Sequence, residues 1–372
     1  MEATQIYELV NAVAQQSLGR DDVSVVDTAS LVTTGDFILN STASTENFVK
    51  VLVARIGKSI ISYRKYSNQL APLVMDDMEW GAIVQKITVE MPEVTEDQTF
   101  EIEDGQSVDM YEVKKPKANQ KLFYKNTPYS CFVTIQKTQL KEAFLGASQM
   151  GSFISAIFGQ VKNALELATE NLSRLTMNNF MALTAPAQQV NLVSMYNALN
   201  LGNTVTAASA FYDEKFLRYA IGQMNLYSKK MRTLSTLFNG DGKARFTPDD
   251  KQLFGIINDF QTAMETQVQY AAFHDSLVSK KASIELPFWQ GHSDPMKIAV
   301  EVEDGLGGKK AVELDNIIGF IFDRDALGTY RREEEVLTTP MNARGRYTNT
   351  FWHDRQMWFN DLSENGIIFT LN

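Results

Sequence analysis

Asp323-Arg324-Asp325 sets two carboxylates around a guanidinium. General acid–base chemistry uses these residue types when neighbouring acids are held in different protonation states. The triplet closes an apolar run, Ile317 to Phe322, so it reads as a strand-end turn with local charge pairing. Asn239 to Asp250 begins like a calcium loop, but Lys243 occupies a ligand position, Ala244 replaces the required glycine and Asp250 replaces the bidentate glutamate. Gly305 to Lys310 is glycine-rich and basic, yet a phosphate loop needs glycine where Glu303 stands and Ser or Thr where Lys310 stands. His274, His292 and His353 have no Cys or carboxylate neighbours at metal-ligand spacing. No G-x-S-x-G nucleophile setting occurs. Tyr347, Phe351, Trp352, Trp358 and Phe359 could stack bases in another context. With only Arg344, Arg346 and Arg355 near them, they read as a strand packed on a helix. The sequence therefore predicts no catalytic residue, no cofactor and no metal.

Composition narrows the class further. The chain has 372 residues, 44% of them hydrophobic, enough for two or three lobes around a large core. A net charge of -10 argues against a surface built to neutralise phosphates. Cys131 is alone, which excludes an internal disulfide and fits a reducing compartment. Met1 to Ala14 has neither a basic start nor a long apolar run, so no signal peptide is read. No apolar run reaches the ~18 residues of a membrane span. These features predict a soluble protein made in a cytoplasm, with no membrane partner.

The elements that could position an interaction surface are unusual. From Glu90 to Glu112 there are nine Asp or Glu and no Lys or Arg, whereas Lys114 to Lys125 holds five Lys and no acid. Alternation through Ile83, Gln85, Ile87, Val89 and Met91, and through Phe123, Phe132 and Ile135, predicts two strands flanking this excursion, a long hairpin with a wide tip. Ser152 to Leu183 has apolar residues at helical spacing, predicting one helix of roughly 48 Å, with a break permitted at Gly151-Ser152.

Residues 1–47 read as an arm. Ile6, Leu9, Val10 and Val13 give a short amphipathic helix ended by Gly19, and the polar stretch to Glu46 buries little alone. A second helix through Phe48 and Leu52 stops at Gly57. Asp213 caps a further helix, and the C-terminal third is strand-rich, with a hairpin turn at Asp304 to Gly308. Helices and strands do not alternate regularly, so the class is α+β.

Three parts of the chain resemble the major capsid proteins of tailed bacteriophages, especially the short-tailed group infecting Gram-positive bacteria. They are Lys121 to Tyr124 leading through Phe132 to Gln136, Leu140 to Phe144 and Phe153 to Ile157; Arg55-Ile56-Gly57; and Asp323 to Leu327 with Tyr330, Asn342 to Asn349, Phe351-Trp352-His353 and the terminal apolar strand. Residues 190–316 match only in order of elements. The resemblance implies the Johnson fold shared with encapsulins. Its parts would be an N-terminal arm (1–47), the start of a peripheral domain (48–80), an E-loop hairpin (81–136), a spine helix (137–189), an axial domain (190–340), a peripheral strand (341–364) and a terminal axial strand (365–372).

It also implies self-assembly into hexamers and pentamers of an icosahedral head around double-stranded DNA, assembled in the host cytoplasm. A portal protein at one vertex and non-specific DNA contact follow from the same resemblance. So does a separate scaffolding protein, because the long charged N-terminal extension of some relatives is not seen. An immunoglobulin-like C-terminal addition is not seen either. The alternative is an encapsulin compartment holding cargo enzymes. Glu96, Asp97, Lys114, Lys115 and Lys117 at the hairpin tip, with Ile6, Leu9 and Val13 of the arm, are the candidate inter-subunit contacts.

Overall fold

The computed structural model describes residues 3–20, 23–56, 66–75, 83–92, 94, 96, 102–107, 109, 111, 113–184, 186–199, 202, 204–269, 283–303 and 308–372. Among the described residues two large hydrophobic cores organise the chain, with a small third cluster around Tyr330, Met357 and Phe359. The first gathers helices α1 (Ala3–Leu18), α2 (Thr28–Leu39), α3 (Thr42–Ile56), α4 (Lys137–Ala143) and α5 (Ala147–Ile154). Val10 follows Ile6 by four residues and precedes Val13 and Ala14 by three and four, so the four share one face of a 3.6-residue period, and all are buried. Gly19, at φ +64°, ends α1 in a left-handed conformation that suits glycine. The α2 helix starts at Asp27, whose carboxylate accepts from the Ser30 backbone N–H at 2.8 Å while Ser30 Oγ accepts from the Asp27 N–H at 3.0 Å.

The reading of residues 1–47 as an arm with no intramolecular core to join is corrected here. Its apolar stripes bury against Phe48, Leu52, Met150 and Ile154 of the same chain. Helices α3 and α5 supply the surface that these stripes cover.

The long helix is present, though not broken where glycine permits it. Helix α5 continues through a π-helical turn, Ser155–Gly159, into α6 (Gln160–Leu183). Gly151 instead admits the Ile6 side chain, whose Cδ1 would stand 2.9 Å from any added Cβ. The irregularity falls at Ser155–Gly159, where Phe158 turns into the first core and meets Trp352 edge-on at 5.9 Å.

A three-stranded antiparallel sheet, β3 (Asn126–Gln136), β11 (Tyr347–Asn360) and β10 (Leu327–Thr338), lies against α6. Alternation buries Thr350, Trp352, Asp354 and Gln356 of β11, and Gln356 donates to Thr169 of α6 at 2.7 Å.

The second core surrounds a five-stranded mixed sheet in the order β4 (Gln189–Asn191), β12 (Gly366–Thr370), β9 (Ile317–Asp323), β5 (Gln252–Ile257), β6 (Ile284–Leu286). Helices α7 (Leu192–Asn197), α8 (Glu214–Met231) and α9 (Asn258–Met264) and the C-terminal half of α6 complete it. Asp213 caps α8 as its sequence predicts, accepting from the Phe216 N–H at 2.8 Å. Two antiparallel hairpins stand outside these sheets: β1 (Val84–Val89) with β2 (Ala118–Phe123), and β7 (Ile298–Glu303) with β8 (Lys309–Leu314). The expected stop at Gly57 and most of the turn at 304–308 lie outside the described residues.

Candidate assembly surfaces

Hairpin β1–β2 carries most of its apolar residues, Ile87, Val89, Ala118 and Leu122, on the side away from its own body, and only Val84 and Phe123 at its base face inward. In its register Val84 faces Phe123, Lys86 faces Lys121 and Thr88 faces Asn119, and this row turns inward. The alternate row, Gln85–Leu122, Ile87–Gln120 and Val89–Ala118, turns outward. Ile87 is 61% exposed, Val89 60% and Met91, just beyond β1, 63%. A half-buried sheet ordinarily places these faces the other way round. A row of exposed branched and long apolar side chains on an extended ribbon is a surface suited to a partner.

The reason for the inversion lies beneath the hairpin. Lys86 Nζ is 2.7 Å from Asp361 Oδ2 and 2.8 Å from Glu364 Oε1, and it donates to the Asp325 carbonyl at 3.1 Å. Lys121 Nζ is 2.8 Å from Asp361 Oδ1 and 2.9 Å from Asp241 Oδ2. The Asp361 side chain is fully buried. Burial alone would raise its pKa, but hydrogen bonds from Lys121, Lys86 and Ser363 prevail and hold it well below the ordinary carboxylate range. Burial lowers the Lys121 pKa, and its bonds to Asp361 and Asp241 outweigh that and raise it. Beside this cluster Val84 and Phe123 pack on Tyr330, Met357 and Phe359. Lys125, just past β2, pairs with Glu303 at 2.5 Å and lies 5.6 Å over Trp358.

Glu96, Lys114, Lys115 and Lys117 are exposed, and Asp97 lies outside the described residues. Of the arm candidates, Ile6 and Val13 are buried in the chain's own first core, and Leu9 is partly buried against it.

The residues that raised chemical readings find ordinary partners. Asp323 is buried and accepts from the Thr247 hydroxyl at 2.7 Å, while Asp325 pairs with Lys251 at 2.7 Å, so the expected pairing within the triplet is replaced by residues about 75 positions earlier. Asn239 uses its side chain on the Lys243 backbone, donating at 2.6 Å and accepting at 2.9 Å, and thereby closes the turn that resembles a calcium loop. His292 packs on Phe288, His353 stacks on Phe351, and His274 lies outside the described residues. Trp352 packs on the long helix as expected, whereas Phe351 meets Phe132 on the sheet's other face.

Within the molecule, Glu170 of α6 accepts from Arg174 at 2.7 Å and from the Tyr66 hydroxyl at 2.5 Å. Burial, then the Glu170 bond, pushes the Tyr66 pKa up to about 12. The arrangement fastens the 66–75 strap to the long helix. A cleft of about 530 Å³ beside Ile6 is lined by Ser148, Gly151, Ser152, Ser155, Ala156 and Gln160, none of them titratable. Among the described residues no group of His, Cys, Asp and Glu is arranged to hold a metal, and no helix is long and apolar enough to cross a membrane.

This architecture is that of phage capsid proteins. The fold superposes on the Staphylococcus phage Andhra capsid with a TM-score of 0.54 at 11% identity, covering 84% of this chain and 87% of that one. On the capsid of cyanophage P-SCSP1u the TM-score is 0.51 at 11% identity, covering 84% and 90%. The family described as Phi29-like phage major capsid protein matches residues 10–370, and the chain belongs to it.

The major capsid protein of Bacillus phage B103 is 22% identical over 370 residues, which cover 98% of this chain and 73% of that relative. That of Bacillus phage GA-1 is 23% identical over 187 residues, 48% of this chain and only 37% of the relative. These matches favour a virus head over an encapsulin compartment, and the α+β fold of the Johnson type agrees with the expectation drawn from the sequence.

Proposed function

We propose that this protein builds the shell of a phage head as hexamers and pentamers of identical copies, with hairpin β1–β2 as the arm by which one copy engages the next. The observation that carries this reading is the outward apolar row of Ile87, Val89 and Leu122, fixed away from its own body by Lys86 and Lys121. A ribbon so held cannot bury that row intramolecularly, and a shell of copies gives it a surface to cover. In this reading residues 81–136 are the E-loop, 137–189 the spine helix and 190–340 the axial domain. Glu96, Lys114, Lys115 and Lys117 would add weak, salt-sensitive contacts at the tip.

We further infer a separate scaffolding protein, a portal at one vertex, assembly in the host cytoplasm and weak, sequence-independent contact with packaged DNA, as the acidic balance of -10 favours. In this reading the protein acts as a structural element and not as an enzyme, as its membership of a capsid family favours. The test is electron microscopy and light scattering of the expressed chain, alone and with its neighbouring gene products. Capsomers or closed shells are expected. A strictly monomeric species across concentration and salt, with every neighbouring product added, would sink the proposal.

A further inference from the structure

One buried carboxylate joins the hairpin to both halves of the molecule. Lys86 and Lys121 stand opposite one another on β1 and β2, so Asp361 receives one cation from each strand, at 2.7 and 2.8 Å. Asp361 itself lies in the short crossover from β11 of the three-stranded sheet to β12 of the five-stranded sheet, and its backbone N–H donates to Ala326. Lys121 also reaches Asp241, in the segment after α8, and Lys86 also reaches Glu364, with Arg245 3.9 Å from the same Glu364 carboxylate.

The neighbouring apolar contacts of Val84 and Phe123 are non-directional and fix only where the hairpin base sits. Two ion pairs from facing strands to one carboxylate fix a plane as well. Losing the carboxylate would leave two cations without their shared partner, and losing the cations would strand a buried charge.

We propose that Asp361 is a positioning residue: through Lys86 and Lys121 it sets the angle at which the hairpin's apolar row leaves the body, and it ties that angle to the relative placement of the two sheets. A hairpin tethered by only one lysine could swivel about it. With both engaged, any rotation lengthens one of the two contacts.

The test reads the angle in the unassembled, full-length chain. Spin labels are placed at Gln120→Cys on the hairpin and Lys215→Cys on α8, both exposed positions, in a Cys131→Ser background. The parent should give one narrow inter-label distance, and Asp361→Asn should shift it and broaden its distribution about twofold or more, with the circular dichroism of the body retained. Lys121→Arg should keep the narrow distance and Lys121→Gln should lose it, a contrast that a merely space-filling role would not produce.

If Asp361→Asn fails to fold, the Asp361→Asn, Lys121→Gln double variant carries the test, because it removes the carboxylate together with one of its cations while Lys86 keeps Glu364. A broad distance in the parent, an unchanged narrow one in Asp361→Asn or in the double variant, or equal behaviour of Lys121→Arg and Lys121→Gln would overturn the proposal. None of these readouts requires that shells form, so the outcome is separate from that of the assembly reading.

Discussion

Two excursions of this chain meet the body with opposite faces. In the N-terminal segment Ile6, Val10, Val13, Leu31 and Ile38 turn inward and the polar positions face solvent. In hairpin β1–β2 the inward row is polar beyond its base, where Val84 and Phe123 pack: Lys86, Thr88, Asn119 and Lys121 turn inward, and Ile87, Val89 and Leu122 face out. The difference follows from what lies underneath. Helices α3 and α5 offer the first segment Phe48, Leu52, Met150 and Ile154, whereas the hairpin sits over Asp241, Asp361 and Glu364. Where a chain meets its own excursion with carboxylates, the apolar side of that excursion is left for another molecule.

The strongest way to break the comparison is to attack the buried side. Phe48 is fully buried and its ring centre lies 5.2 Å from that of Phe144. Phe48→Ala should destabilise the monomer by about 3–5 kcal/mol, read as a large loss of melting temperature. A near-parental melting curve would return residues 1–47 to the status of a loose arm.

How much of this was legible in sequence differs from element to element. The hairpin and the long helix show in periods of 2 and 3.6 residues, because each extends far enough for its spacing to stand out. Helix α2 was missed: Thr28 to Leu39 holds Gly35 and several Thr, and its start signal is Ser30 three residues after Asp27 where a Glu or Gln is the usual sign. The clamp that Lys86 and Lys121 make on Asp361 has no signal in the sequence, because both lysines occupy the polar row of their strands, where a lysine is ordinarily solvated. Asp361 could not be found by spacing at all, since it lies 240 residues from Lys121 and only the fold brings them together.

The clamp sharpens the comparison through pH. Asp361, held below its ordinary range, contributes stability that is present above the unfolded carboxylate value of about 3.9 and lost as pH falls through its folded value. Asp323, raised by burial against its hydrogen bonds from Thr247 and the Asp325 N–H, has the opposite sign: its contribution is present below about 3.9 and lost as pH rises through its folded value. Between roughly pH 5 and pH 3, a window spanning that value, the melting temperature of Asp361→Asn should fall less than the parent's and that of Asp323→Asn should fall more. Parallel curves for all three would remove the buried carboxylates from the account.

The smallest effect belongs to the hairpin tip. Exposed pairs contribute about 0 to 1 kcal/mol each, so exchanging Lys114, Lys115 and Lys117 for Glu should leave monomer melting unchanged and shift only the salt range in which shells form. A salt dependence identical to the parent's would mean that these lysines keep a loop soluble and do nothing more.

The central claim is that the outward row of β1–β2 serves other copies and not its own chain. Replacing Ile87, Val89 and Leu122 together by Ser tests it most directly, by sedimentation and electron microscopy of the assembled product beside a melting curve of the monomer. The account predicts a melting temperature close to the parent's, as befits exposed positions, together with loss of capsomers and shells. Normal shells from the triple variant, or a monomer that no longer folds, would contradict it.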